Sequence, residues 1–338
     1  MKGRSMSVTF GTNRVGSPVP ERMRENCRLT EAAGFTHFWF QDSQLHRGDP
    51  FVNLLVATQL TERVTVGTLL VNPVTRHPTV LAASHAAVDM YAPGRVIMGI
   101  GAGDTAVFQV GLRPARLAQT ERTIRIVRAL LAGEGVDLGW TEPSRLDHPR
   151  PVPVIVAGSG PKTLRMAGRL ADGVVIRIGT DPELVQWGYD EFRAGALEAG
   201  RDPDALFVAG HFHTVLAHDP DMVDARAKVM AAGYYEVNPG TWKRLGIPWT
   251  LPPVHDLLME VRPDFHHASD MDLAARLVAG MPVEHARRFC LAGDGQAVRG
   301  QIEALVARFP WMRHIILQPN MPGPAFIQSC ATEIIPWF

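Results

Sequence analysis

The feature that most constrains this chain is a rhythm, in which short apolar segments alternate with longer amphipathic ones. "SVTFGT" precedes "ERMRENCRLTEAAG", "HFWFQD" precedes "FVNLLVATQL", "VTVGTLLV" precedes "TVLAASHAAVDMYA", and "RVIMGIGAG" precedes "ARLAQTERTIRIVRALLAG". The pattern continues through "VPVIVAG" and "PKTLRMAGRLA", "GVVIRIG" and "PELVQWGYDEFRAGALEAG", then "ALFVAGHFHTVLA" and "PDMVDARAKVMAAG". It lapses from about residue 234 to 280, where Pro, Trp and His crowd together, and resumes with "AVRGQIEALVARF" and "HIILQPN". Strands alternating with helices imply a parallel sheet covered by helices. Eight strand candidates predict an α/β fold, a closed eight-stranded (β/α)8 TIM barrel. It would be a single domain over 1–338, with the irregular stretch as an insertion between strands 7 and 8. An open, doubly wound sheet is the alternative.

Composition narrows the function. Lys plus Arg and Asp plus Glu both number 34 in 338 residues, and no charge block stands out. An electrostatic footprint for nucleic acid or an acidic membrane is therefore not expected. A small-molecule substrate and a second copy of the chain, as a homodimer, are the expected partners. The three cysteines, Cys27, Cys290 and Cys330, are too far apart for a disulfide framework or a zinc cluster. The basic N-terminus has no continuous apolar stretch behind it, and no apolar run approaches the roughly 20 residues of a membrane span. A cytoplasmic protein is expected.

"GIGAGD" ends the fourth strand, where barrel ligands sit. Bare glycines there let backbone N–H groups approach an anion, and they serve a tight turn equally well. The spacing is G-x-G-x-G at the fourth strand, not the dinucleotide fingerprint G-x-G-x-x-G at the first. The next strand ends in "VAGSGPKTLRMAG". Gly158, Ser159 and Gly160 precede a helix opening with Pro161, a placement that suits phosphate and also has a purely structural use. Two glycine-rich ends on adjacent strands would let one phosphate-bearing cofactor span both.

These residues resemble the bacterial-luciferase-like superfamily of flavin- and deazaflavin-dependent oxidoreductases, most of all the methylenetetrahydromethanopterin reductase-like branch. The resemblance covers nearly the whole chain. "VGTLLVNPVTRHPTVLAASHAAVDMYAPGRVIMGIGAGD", "RTIRIVRALLAGEGV", "VPVIVAGSGPKTLRMAGRLADGVV" and "FCLAGDGQAVRGQIEAL" with "HIIL" carry it. It implies an F420-dependent oxidoreductase that moves hydride between the deazaflavin coenzyme and a small organic substrate. FMN is the alternative cofactor, in a monooxygenase fed by a separate reductase. The resemblance implies a cofactor ring over the ends of strands three to five. Leu69, Leu70, Asn72, Gly101, Ala102, Gly103, Asp104, Ala157, Gly158, Ser159 and Gly160 would hold it. It also implies a cis peptide at Leu69–Leu70, with Leu70 behind the ring and Asn72 beside it. A shared fold does not fix the substrate.

Many deazaflavin members carry an Asp-His pair after the second strand, and here Asp42 is followed by Ser43. Asp42, His46 and Asp104 are the catalytic candidates. Either carboxylate would also serve as a helix cap. A cofactor-binding protein without turnover is a further reading. His211 and His213 share a strand face, and with His266 and His267 they raise a metal-dependent hydrolase as an alternative. No carboxylate–histidine set at other strand ends completes such a shell, so no metal is expected. Arg76 and His77 in "NPVTRHP" suit either a phosphate or a salt bridge. Tyr234, Tyr235, Trp242 and Trp249 suit either an aromatic wall over the substrate or packing of the insertion.

Overall fold

The computed structural model describes residues 8–13, 15–320 and 323–338. The start of the first predicted strand, at Ser7, lies outside them, as does most of the basic N-terminal segment. The strands are β1 (Thr9–Thr12), β2 (His37–Phe40), β3 (Thr65–Thr68), β4 (Val96–Ile100), β5 (Val154–Gly158), β6 (Gly173–Ile176), β7 (Phe207–Leu216), β8 (Leu291–Gly293) and β9 (His314–Pro319). Hydrogen bonding runs β6-β5-β4-β3-β2-β1-β9-β7, and β6 pairs again with β7. Eight parallel strands thus close a (β/α)8 barrel, and β8 bonds to β7 outside the ring. Among the described residues, no helix is long and apolar enough to cross a membrane.

Contacts within the chain gather into two units. One comprises Gly11–Val175 and Glu191–Val208. In it His37 pairs with Thr65 and Phe40 with Thr68, Gly67 with Ile97, and Ile100 with Val156. This register brings the segments 41–49, 69–77, 101–116 and 159–160 to one edge. Helices Pro50–Leu60, Pro78–Tyr91, Leu117–Leu131 and Pro161–Leu170 cover the strands. Trp39, Phe38, Val66, Leu81, Met98, Ile124 and Val156 are buried between them. A Cβ on Gly168 would lie 2.1 Å from the Phe192 carbonyl oxygen, so only glycine permits this helix crossing.

Among the described residues, the other unit comprises Val8–Phe10, Ile176–Asp190 and the chain from Ala209 to Phe338. β9 pairs with β7 from Ala209–His314 to Thr214–Pro319. Helices Pro220–Val237 and Gly295–Arg308 belong to this unit, whose core includes Phe212, Phe265, Phe289, Ile302 and Leu317. The stretch expected to be irregular holds the end of the first of these helices and short helical turns from Pro239–Arg244 to Met271–Leu277.

Candidate functional site

The end of β5 and the loops after β2, β3, β4 and β5 carry every candidate cofactor and catalytic residue, and all lie in the Gly11–Val175 unit. After β3 the ladder is interrupted. The Leu69 N–H donates to the Phe40 carbonyl, the Leu69–Leu70 peptide is cis, and Val71 rejoins β4 through Gly99 and Gly101. The cis bond stands where the resemblance placed it. Leu70 is half-buried, and a Cβ on Gly101 would lie 2.6 Å from its Cδ2. Gly101 therefore allows β4 to run close beside the Leu70 side chain. Gly103 has φ +86°, and a Cβ there would meet Val107 at 2.6 Å and Asn72 at 3.1 Å. The glycines of "GIGAG" thus have a packing reason.

Asn72 is buried, and its Oδ1 accepts from the N–H groups of Val74 (3.0 Å) and Thr75 (2.9 Å). It pins the turn that leads to Arg76. The Arg76 guanidinium grips both oxygens of Asp42, at 3.0 Å each, and reaches Asp49 at 2.9 Å. The Asp42 side chain is only 1% exposed. It caps neither following helix: Ser43 stands at the N-cap of Gln44–Arg47, and Asp49 caps Pro50–Leu60, accepting from Phe51 and Val52. Burial would raise the Asp49 carboxyl, but Arg76 and the two N–H groups outweigh it and hold it below its ordinary value. Burial likewise disfavours the Arg76 charge, and the two carboxylates more than restore it.

Asp104 is exposed and accepts from the Thr105 N–H at 2.7 Å, capping the short helix Thr105–Phe108. His46 lies on the helical turn Gln44–Arg47, and its Nε2 hydrogen-bonds with the Gln109 side chain. Gln44 Nε2 also donates to the Ala106 carbonyl, at 3.2 Å. These contacts tie the loop after β2 to the loop after β4 and bring His46 and Asp104 into one neighbourhood. After β5, Gly160 is the N-cap of the helix Pro161–Leu170 and offers no side-chain cap. The space where its Cβ would stand is open. The first turn of that helix is therefore accessible to an anion, so the chain's residues fit a phosphate-bearing cofactor here.

Two partners escaped the sequence reading. Gln109 is the C-cap of the four-residue helix Thr105–Phe108, which is too short to show periodicity. His85 is fully buried on the helix Pro78–Tyr91, with Nδ1 donating to the Leu81 carbonyl at 2.8 Å and Nε2 at 3.2 Å from Thr68 Oγ1. Thr68 Oγ1 also accepts from the Gly99 N–H at 3.0 Å. Burial pushes the imidazole down to about 4, so His85 is a neutral strut behind the glycine strand. A lone histidine on an apolar helix face was the signal for it.

In the second unit, His213 stacks on His266 at 4.0 Å between ring centroids, and His211 lies at 5.8 Å from His213. Burial first, then His266 and Arg177, hold His213 well below its ordinary value. Among the described residues, no group of three or more His, Cys, Asp or Glu is placed to hold a metal. Tyr235 stacks on Trp249 and Trp242 on Phe289, so these aromatics pack against one another within this unit.

Residues 1–310 match the family described as luciferase-like monooxygenase. The chain belongs to this family. It is 35% identical to an F420-dependent glucose-6-phosphate dehydrogenase of Microbacterium testaceum over 335 residues, covering 91% of this chain and 90% of the relative. In structure it is similar to the coenzyme F420-dependent tetrahydromethanopterin reductase of Methanopyrus kandleri, with a TM-score of 0.80, 22% identity and coverage of 98% and 99%. It is also similar to an F420-dependent secondary alcohol dehydrogenase in complex with an F420–acetone adduct, with a TM-score of 0.73, 19% identity and coverage of 98% of each chain.

Proposed function

We propose that this member of the luciferase-like family is an F420-dependent oxidoreductase that moves hydride between the deazaflavin coenzyme and a small organic substrate. The observation that carries the reading is the clustering of three prepared strand ends: the Leu69–Leu70 bulge, Gly101–Asp104 and Gly158–Gly160. The coenzyme, when bound, supplies the hydride acceptor or donor, and the protein supplies position and proton management. Leu69 and Leu70 give the ring an apolar bed. Gly101, Ala102 and Gly103 let backbone approach it, and Asn72 holds the adjoining turn. Ala157, Gly158, Ser159 and Gly160 lead into the helix terminus that receives the phosphate. Asp42, locked by Arg76, fixes the loop after β2. His46 takes the proton-carrying role, because its Nδ1 is left open while Nε2 is held by Gln109. Asp104 orders the loop beside it.

The chain works in the cytoplasm, as a homodimer. The helix Pro50–Leu60 supports the dimer: it is mostly apolar, yet Val52 is 62% exposed, and Val80 on the neighbouring helix is 47% exposed. A helix of that kind belongs in an interior.

The family's monooxygenase description favours FMN as the second reading. Titration of the purified protein with each cofactor, with oxygen uptake followed during turnover, separates them. Tight binding of F420 and no oxygen uptake is the expected result. Binding of FMN alone with substrate-linked oxygen uptake would replace it with the monooxygenase.

A further inference from the structure

A cleft of about 430 Å³ opens between the turn at 73–78 and the helix Leu117–Leu131, apart from the strand ends assigned above. Its volume lies in the range of small-molecule sites. Its lining includes Arg76, His77 and Arg122, and contains no Asp or Glu. Val74, Ile126 and Leu138 supply apolar walls. Three hydrogen-bond donors remain uncommitted there. Arg122 forms no ion pair or hydrogen bond with any described residue. The Arg76 bonds to Asp42 and Asp49 use Nε and Nη2, which leaves Nη1. His77 Nδ1 accepts from the Thr79 N–H at 3.3 Å, which places the ring proton on Nε2.

We infer that this cleft binds a small organic anion, with its carboxylate or phosphate on Arg122, His77 Nε2–H and Arg76 Nη1, and its apolar body against Val74, Ile126 and Leu138. Guanidinium donors suit the planar oxygen pairs of such groups. Two carboxylates already share Arg76, so Arg122 is the cation whose charge is unspent and carries most of the attraction. The Glu121 carboxylate on the same helix turns to Arg125 at 2.9 Å rather than to Arg122. The inference stands independently of the coenzyme.

The test is calorimetric titration of the full chain, without coenzyme, using citrate and inorganic phosphate at constant ionic strength against a chloride control. Saturable binding of either anion is expected, with citrate alone assigning a carboxylate ligand and phosphate alone a phosphate ester. Arg122→Ala should weaken it at least tenfold, Arg122→Lys less, and Arg125→Ala should leave it within twofold. Both arginines are exposed on the helix, and thermal melts of the variants report on folding. No saturation above the chloride control, unchanged binding by Arg122→Ala, or an equal loss in Arg125→Ala would each overturn the inference.

Discussion

At the scale of single residues, some side chains hold the loop after β2, and another, His46, is proposed to carry the proton. Asp42 and Arg76 hold the loop. Removing one partner of a buried ion pair leaves an uncompensated charge and costs about 3–5 kcal/mol. Arg76→Ala should lower the urea midpoint accordingly, and the Asp42→Ala/Arg76→Ala double variant should recover much of the loss. His46→Gln should lower turnover about 10²–10⁴-fold, the range for a lost general acid–base, with coenzyme affinity nearly unchanged. An equal fall in affinity would reassign His46 to binding. His85 gives a pH signature. The unfolded chain protonates it below about 6.5, whereas the folded one resists to about 4. Its contribution is steady above pH 6.5 and is lost as the pH falls towards 4. Urea unfolding at pH 7, 6 and 5 should show stability dropping, and His85→Asn should shallow the slope by about 1.4 kcal/mol per pH unit.

At the scale of elements, two short runs inside the stretches that carry the resemblance are architectural. In "NPVTRHP", Asn72 pins the turn, Arg76 clasps Asp42 and Asp49, and His77 caps the helix Pro78–Tyr91. In "AGRLADG", Gly168 admits the crossing at Phe192, and Asp172 binds the Val154 N–H at 2.9 Å and Arg128 at 2.8 Å. Gly168→Val should therefore lower the unfolding free energy by about 1–3 kcal/mol, the usual cost of overpacking, and the urea midpoint with it. A midpoint equal to the wild type would show that the crossing has slack. The long elements were legible because each buries one periodic face, as in the helix Leu117–Leu131 with Ile124, Val127 and Leu131 inside. The three-residue β8 and the turns Gln44–Arg47 and Thr105–Phe108 are too short to hold a period. The candidate loops were legible from glycine and proline placement. The Asp42–Arg76 and His46–Gln109 pairs join residues far apart in sequence, and nothing local specifies such contacts.

At the scale of the whole molecule, alternation of strands and helices sufficed for the barrel, whereas assembly and chemistry depend on surfaces and loops. The dimer is tested by Val52→Asp, which should shift the sedimentation coefficient from dimer to monomer at micromolar concentration while the barrel's circular dichroism is kept. A wild-type monomer at that concentration would remove the dimer. We place the deazaflavin over the ends of β3, β4 and β5. A crystal structure of the protein with F420 measures this directly. The ring should lie against Leu69–Leu70, with Gly101–Asp104 alongside it and the phosphate at Gly158–Gly160. A coenzyme bound elsewhere on the protein, with those three strand ends untouched, would contradict it.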